Sequence, residues 1–156
     1  MCCSLTLQFV VVINQILKGE SKLKKSEVGT LSLRIFLGLS FFIHGFSKFQ
    51  NGIENTVGWF DSIGIPGFVG YIVAIIELVG GLLLTIGFGT RYIAALFVFI
   101  MIGAILKVKL AAGFMGNGQG AGFELDLAFA VMAVFLFLNS KSALSLDSKL
   151  FSKNSQ

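Results

Sequence analysis

The residues able to do chemistry in this chain are few, and they lie in apolar surroundings. Glu77 stands near the middle of an apolar run of 21 residues, while His44 and Lys48 lie one helical turn apart near the end of another run. A carboxylate at the centre of a bilayer costs about 2.5–3.5 kcal/mol on the insertion scale. We therefore expect Glu77 either to pair with a cation or to hold a proton. The candidate partners are His44, Arg34 and Lys48.

These residue types, brought together, would suit proton transfer beside a bound anion. A carboxylate and an imidazole can pass protons, and lysine or arginine can neutralise negative charge on a ligand. We therefore take Glu77 and His44 as candidate catalytic residues. The candidate substrate-binding residues are Arg34, Lys48, Lys107 and one of Glu124 and Asp126. The same groups could instead form a salt-bridge network that only fixes helix packing, and the sequence leaves both interpretations open.

Metal and thiol chemistry has little support in the sequence. His44 is the only histidine, and the two cysteines, Cys2 and Cys3, are adjacent at the N-terminus. They form neither a CxxC redox pair nor a disulfide framework. We therefore predict no zinc or iron–sulfur site and no covalent cofactor. Redox chemistry in this chain would need a borrowed cofactor or a partner subunit.

Composition indicates that these residues are positioned by helices in a membrane. Of the 156 residues, 55% are hydrophobic and 13% are charged, and the mean hydropathy is +0.88. The charged share is about half of the roughly 25% usual for soluble domains, which argues against a water-soluble monomer. Spanning helices need ~20 residues. The four apolar segments that meet or approach this length are 31–49, 68–88, 92–106 and 123–139.

The loop over residues 50–67 has a helical pattern of its own. Apolar residues recur at helical spacing from Ile53 to Ile63, and Trp59 is the only tryptophan. Tryptophan favours the headgroup level of a bilayer, so we predict a short helix on the outer membrane surface. The predicted fold class is therefore all-α: an integral membrane four-helix bundle with a short interfacial helix between the first and second spans.

Positive residues predict the orientation of this bundle in the cell membrane. With the N-terminus cytoplasmic, eight lysines and arginines lie inside and three outside, so we expect both termini to be cytoplasmic. Lys107 and Lys109 lie outside, which is contrary to the positive-inside rule. Six ionisable residues then converge in the outer half: His44, Lys48, Glu77, Lys107, Glu124 and Asp126. Because Glu124 and Asp126 are about 200° apart on a helix, only one of them can face the bundle.

A glycine-rich motif in the chain is discounted. Residues 116–121 fit the GxGxxA dinucleotide pattern, but they follow an apolar helix and not a strand. The βαβ context of that motif is missing, and we interpret the stretch as a flexible loop. The net charge of +4 lies mostly at the two ends, which is typical of membrane topology and predicts no binding of nucleic acid.

Several short motifs carry a family resemblance. In order they are Val28-Gly29-Thr30 before Arg34, His44-Gly45-Phe46-Ser47-Lys48, Gly64-Ile65-Pro66, Glu77 with Gly80-Gly81-Leu82-Leu83-Leu84, Gly89-Thr90-Arg91, Ala104-Ile105, and Gly122-Phe123-Glu124. In this order, over residues 27–147, the chain resembles the DoxX family of small four-helix membrane proteins. We therefore expect a membrane domain over residues 27–142 and a polar cytoplasmic tail over 143–156. Residues 1–26 fall outside the resemblance, as a partly basic extension or the result of a misassigned start.

The resemblance implies a link to redox metabolism. Some DoxX members look like subunits of a thiosulfate:quinone oxidoreductase, and others associate with thiol and oxidative-stress defence. We therefore expect a membrane oxidoreductase subunit that uses quinone and has a soluble or membrane oxidoreductase as partner. The matching positions include Arg34, His44, Lys48, Glu77 and Glu124. The alternative is a non-enzymatic small-anion carrier or membrane scaffold, which the lack of a redox-active residue favours; homo-oligomerisation is left open.

Overall fold

The computed structural model describes residues 25–117 and 121–140, and within them the regular elements are helical. The helices are α1 (Lys25–Gln50), α2 (Ile53–Ser62), α3 (Phe68–Ile86), α4 (Thr90–Ala104) and α5 (Glu124–Leu138). α4 continues through a π-helical turn, Ile105–Lys109, and a 3-10 turn, Leu110–Ala112. The all-α prediction is confirmed. Nearly all of the predicted extension and tail lies outside the described residues, so those two domain boundaries stay predictions.

Three helical stretches are long and apolar enough to cross a membrane. They are Ser26–Gln50, Phe68–Ile86 and Thr90–Ala112, of 25, 19 and 23 residues. The third continues past the predicted end at residue 106 and includes Lys107 and Lys109. α5 has 15 residues, which is about 22 Å of helix against ~30 Å of hydrocarbon core. The described residues thus supply three candidate spans, and a fourth is not established by length.

The junction of α3 and α4 is a tight glycine turn. Gly87 ends α3 with φ 77°, and the N–H groups of Gly87 and Phe88 both donate to the carbonyl of Leu83 at 3.0 Å. Such a left-handed C-terminal residue satisfies helix carbonyls and suits glycine, which has no Cβ to clash. α4 begins after Gly89, so α3 and α4 run antiparallel from one end of the molecule.

α1 and α3 pack with their backbones in direct contact. A Cβ atom built on Gly45 would lie 2.4 Å from the backbone N of Leu78, and one on Gly81 would lie 2.4 Å from the backbone N of Phe42. Small residues allow helices to approach this closely. Gly38 and Gly45 are both buried, so this side of α1 faces α3.

Aromatic rings join the α1–α3 pair to the α4–α5 pair. The rings of Phe41 and Phe97 stack with their centroids 3.7 Å apart and their planes 14° apart. Phe129 of α5 packs 5.9 Å from Phe41. The other fully buried apolar residues of this core are Leu37, Leu84, Ala94, Ala133 and Leu136. On the side of the stack toward Lys48, the helices separate and leave a cavity.

The predicted short helix is present as α2 and is tied to the start of α3. The Tyr71 hydroxyl donates to Glu54 Oε2 at 2.7 Å, and the Gly67 N–H donates to Asp61 Oδ1 at 2.7 Å. The apolar residues of the predicted face are all half-buried: Ile53, Val57, Phe60 and Ile63. Trp59 is 45% exposed. The helix is confirmed, and its position on a membrane surface stays a prediction.

Candidate functional site

A cavity of about 720 Å³ lies between the helices, and all five α-helices contribute to its lining. This volume is within the 300–1,000 Å³ range typical of small-molecule sites. Its walls are mainly apolar, with Phe41, Met101 and Phe129 at the core side and Trp59 contributed by α2. The ionisable residues in the lining are His44, Lys48, Glu77, Lys107, Lys109 and Asp126.

The most buried charge in this cavity is Glu77, which is paired. Glu77 is 4% exposed, and Lys48 Nζ donates to its Oε2. The contact of Gly45 with the backbone at Leu78 brings α1 against α3, so that Lys48, almost one turn further along, reaches Glu77. The structure therefore selects Lys48 from the three partners that the sequence left open.

A second ion pair lies across the cavity. Lys109 Nζ donates to Asp126 Oδ2 at 2.6 Å, with side-chain exposures of 28% and 10%. Lys109 belongs to the π-helical turn, and Asp126 lies in the first turn of α5. Lys109 was not among the predicted site residues, and Asp126 was the alternative to Glu124 on the last helix. The structure identifies Asp126 as the inward residue, because Phe129, Ala130 and Ala133, at i+3, i+4 and i+7, are all buried.

Two predicted site residues are not brought to the cavity. Glu124 is exposed and absent from the lining, because it lies about 200° from Asp126 on α5. Arg34 is 2% exposed, but 14 residues of helix, about 21 Å, separate it from Lys48. Its guanidinium packs against Gly87: a Cβ atom built on that glycine would lie 2.7 Å from the guanidinium carbon. This places the cation at the C-terminal end of α3, where the helix dipole favours positive charge.

His44 and Lys107 complete the charged lining. Both are exposed residues that line the cavity, His44 on α1 one turn before Lys48 and Lys107 in the π-helical turn. Among the described residues, neither side chain forms an ion pair or a hydrogen bond. Four of the six predicted site residues, His44, Lys48, Glu77 and Lys107, therefore share one cavity, and their chemical roles stay predictions.

The described residues of the glycine-rich motif, 116, 117 and 121, do not line this cavity. Gly116 and Ala121 form an isolated antiparallel bridge, and residues 118–120 lie outside the described residues. The Glu124 N–H donates to the carbonyl of Phe114 at 3.2 Å, which ties the start of α5 to residue 114. No group of three or more metal-binding side chains is found within the described ranges.

Comparison with known proteins identifies the family. The DoxX family profile matches residues 29–110, just over half of the chain. This chain belongs to the DoxX family. It is 45% identical over 128 residues to the "Putative oxidoreductase CatD" of Bacillus subtilis, covering 82% of this chain and 91% of that protein. No solved structure matches this DoxX chain.

Two further relatives of this DoxX chain are membrane proteins by name. An uncharacterised membrane protein of Mycobacterium tuberculosis is 32% identical over 130 residues, covering 77% of this chain and 80% of the relative. Inner membrane protein YphA of Escherichia coli is 30% identical over 122 residues, covering 75% and 86%. With three candidate spans, this DoxX chain is a membrane protein. Strongly exposed apolar side chains outside the cavity, such as Tyr92 (79%) and Leu138 (72%), suit contact with lipid.

Proposed function

We propose that this DoxX protein is the membrane subunit of an oxidoreductase that passes electrons to quinone, and that the quinone binds in the cavity. The observation that carries this proposal is the buried Glu77–Lys48 pair in a largely apolar space of about 720 Å³. A quinone is apolar and dissolves in the bilayer. It therefore suits a cleft between helices in which a few polar groups meet its oxygens.

The chain's residues would manage protons and charge, while the electrons come from a partner. Reduction of a quinone to a quinol consumes two electrons and two protons, and negative charge develops on the ring oxygens between these steps. Lys48 would stabilise that charge, and His44 and Glu77 would pass protons to the oxygens. Arg34 takes no part, because it lies about 21 Å along α1 from Lys48. The electron-donating partner would be a soluble or membrane oxidoreductase.

The proposal includes the four-span arrangement. α5 packs on α4 and would form the fourth span, with the bilayer thinned locally around its 15 residues. Both termini would then be cytoplasmic, and α2 would lie on the outer surface beside the cavity. Reporter fusions to the C-terminus test the orientation, since an active periplasmic or external reporter there contradicts the arrangement.

The charge of Glu77 gives the direct test. We expect Glu77→Gln to lower quinone reduction by about 100-fold, the usual size of a lost acid–base group, with the protein still folded in detergent. Glu54→Gln is the matched control. It makes the same chemical change at a carboxylate that accepts a hydrogen bond from Tyr71 and does not line the cavity. Quinone reduction by Glu77→Gln at the rate of this control contradicts the proposed role.

A membrane scaffold or small-anion carrier is the second candidate, because both carboxylates of the cavity are already in ion pairs. The double variant Lys48→Glu with Glu77→Lys exchanges the two charges and separates the candidates. A scaffold needs only the pair, so the exchange would restore assembly and cellular function. A proton-handling site needs each group in place, so the exchange would restore stability and leave quinone reduction lost.

Purification from the native membrane in mild detergent tests the partner. Mass spectrometry identifies a stoichiometric companion, and organic extraction detects bound quinone. An oxidoreductase subunit or a quinone in stoichiometric amount supports the proposal. A homo-oligomer with neither contradicts it and favours the scaffold or carrier.

A further inference from the structure

Among the described residues, the lining of the cavity contains three lysines and two carboxylates. Lys48 pairs with Glu77 and Lys109 pairs with Asp126. Lys107 lines the same space and, among the described residues, has no ion pair and no side-chain hydrogen bond. The three lysines and two carboxylates of the lining therefore carry a net charge of +1.

The surroundings of Lys107 indicate a site for a ligand with an apolar body. Leu96, Ile100, Gly103 and Lys107 recur at i, i+4, i+7 and i+11 along one face of α4 and its continuation, and all four line the cavity. A Cβ on Gly103 would meet no atom within 4 Å, so space is open directly before the lysine. The lysine itself lies in a π-helical turn, a rare element that is frequent at functional sites.

We propose that the cavity takes a lipophilic acid in its anionic form, with the oxyanion against Lys107 and the apolar body along α4. This inference rests on the proposed function and names its substrate class: a quinone that carries an ionised hydroxyl group on the ring. A neutral quinone would leave the charge of Lys107 without a counterpart in the cavity, whereas a monoanion balances it and gains a charge-assisted hydrogen bond.

A matched pair of ligands tests the charge alone. The probes are 2-hydroxy-1,4-naphthoquinone, which is ionised at neutral pH, and its neutral 2-methoxy analogue. Trp59 is the only tryptophan of the chain and lines the cavity, so quenching of its fluorescence, corrected for ligand absorbance, reports binding to the full-length protein in uncharged detergent. We expect the hydroxyquinone to bind about fivefold more tightly, the size of a partly exposed ion pair.

Three variants assign the preference to Lys107. Lys107→Gln should remove the fivefold preference without changing the affinity for the methoxyquinone, and Lys107→Arg should keep the preference. Arg91→Gln is the charge-matched control. It removes a cation that lies over the Phe137 ring, 5.0 Å from its centroid, and does not line the cavity, so it should leave both affinities unchanged.

The outcomes separate this inference from the proposed function. Equal affinity for the two quinones, or a preference that survives in Lys107→Gln, overturns the anion inference and leaves quinone binding in place. Quenching by neither quinone overturns the proposed function itself. Loss of the preference when phosphatidylglycerol is added to the micelles would show that lipid phosphate occupies Lys107, and this also overturns the inference.

Discussion

The α1–α3 contact and the cavity are formed by the same helices but have opposite constructions. Along the contact, glycines leave no room for a single Cβ atom, and backbone touches backbone. On the cavity side, α3 and α4 are joined by a short turn yet leave about 720 Å³ between the helix pairs. The difference indicates two separate roles. The close α1–α3 contact holds Lys48 beside Glu77, and the open space next to it can receive a ligand.

Breaking the glycine contact should have the largest effect. We expect Gly81→Ala to lower the free energy of unfolding by about 3 kcal/mol, at the upper end for overpacking. Its new Cβ would lie 2.4 Å from the Phe42 backbone N and 2.6 Å from the Gly38 carbonyl oxygen. Backbone atoms, unlike side chains, cannot relieve such a clash by changing rotamer. Unfolding of the purified protein in detergent, followed by circular dichroism during heating, measures the change.

Gly103→Ala is the control for that prediction, because it makes the same substitution in the open part of α4. Nothing lies within 4 Å of its new Cβ. Alanine is favoured over glycine within helices by roughly 0.5–1 kcal/mol, so we expect a small gain in stability. If Gly81→Ala were as stable as Gly103→Ala, the contact would not be a rigid one.

The two ion pairs should differ in the cost of losing their lysines. Lys48→Gln leaves Glu77 buried at 4% exposure without its cation, which we expect to cost about 3 kcal/mol of unfolding free energy. Lys109→Gln leaves Asp126 at 8% exposure, near a helix N-terminus that favours negative charge, so about 1 kcal/mol is expected.

A double variant sharpens this second comparison. Lys48→Gln with Glu77→Gln removes both charges and should recover most of the stability lost in Lys48→Gln, since the main cost is an unpaired buried carboxylate. Chemical denaturation of the three variants in one detergent measures these differences. Equal costs for the two lysines would contradict the view that Glu77 depends on its lysine more than Asp126 does.

Much of the architecture could be predicted from the sequence because its signals are local. Apolar runs, the Gly87–Gly89 turn and the helical spacing in α2 each indicate an element within a few residues. The sequence limited Glu77 to two outcomes, pairing with a cation or holding a proton, and the structure shows the pair. The choice among Arg34, His44 and Lys48 depends on the point along α1 at which the α3 backbone comes closest. That point is at Gly45, and it is set by tertiary packing and not by a local sequence signal.

The second ion pair shows where the sequence interpretation failed. Lys109 reaches Asp126 from a π-helical turn, and residue spacing on a regular α-helix does not predict that turn. On α5 the sequence could not decide which acidic residue faces inward, because apolar residues follow Glu124 and Asp126 at the same spacing. The sequence permits only one of Glu124 and Asp126 to face inward, and the family resemblance favoured Glu124. The buried residues that follow Asp126 by three and four positions, Phe129 and Ala130, indicate the other choice.

The smallest expected effect tests that correction. Glu124→Gln removes an exposed charge from the first turn of α5, where an acidic residue contributes about 0.5 kcal/mol through the helix dipole. We expect that loss of stability and no change in the KM for quinone, because the side chain does not line the cavity. Asp126→Asn, two residues away, should instead alter the KM, since it releases Lys109 into the cavity. Steady-state quinone reduction by both variants decides the matter: a raised KM in Glu124→Gln alone would mean that α5 turns its other face to the ligand.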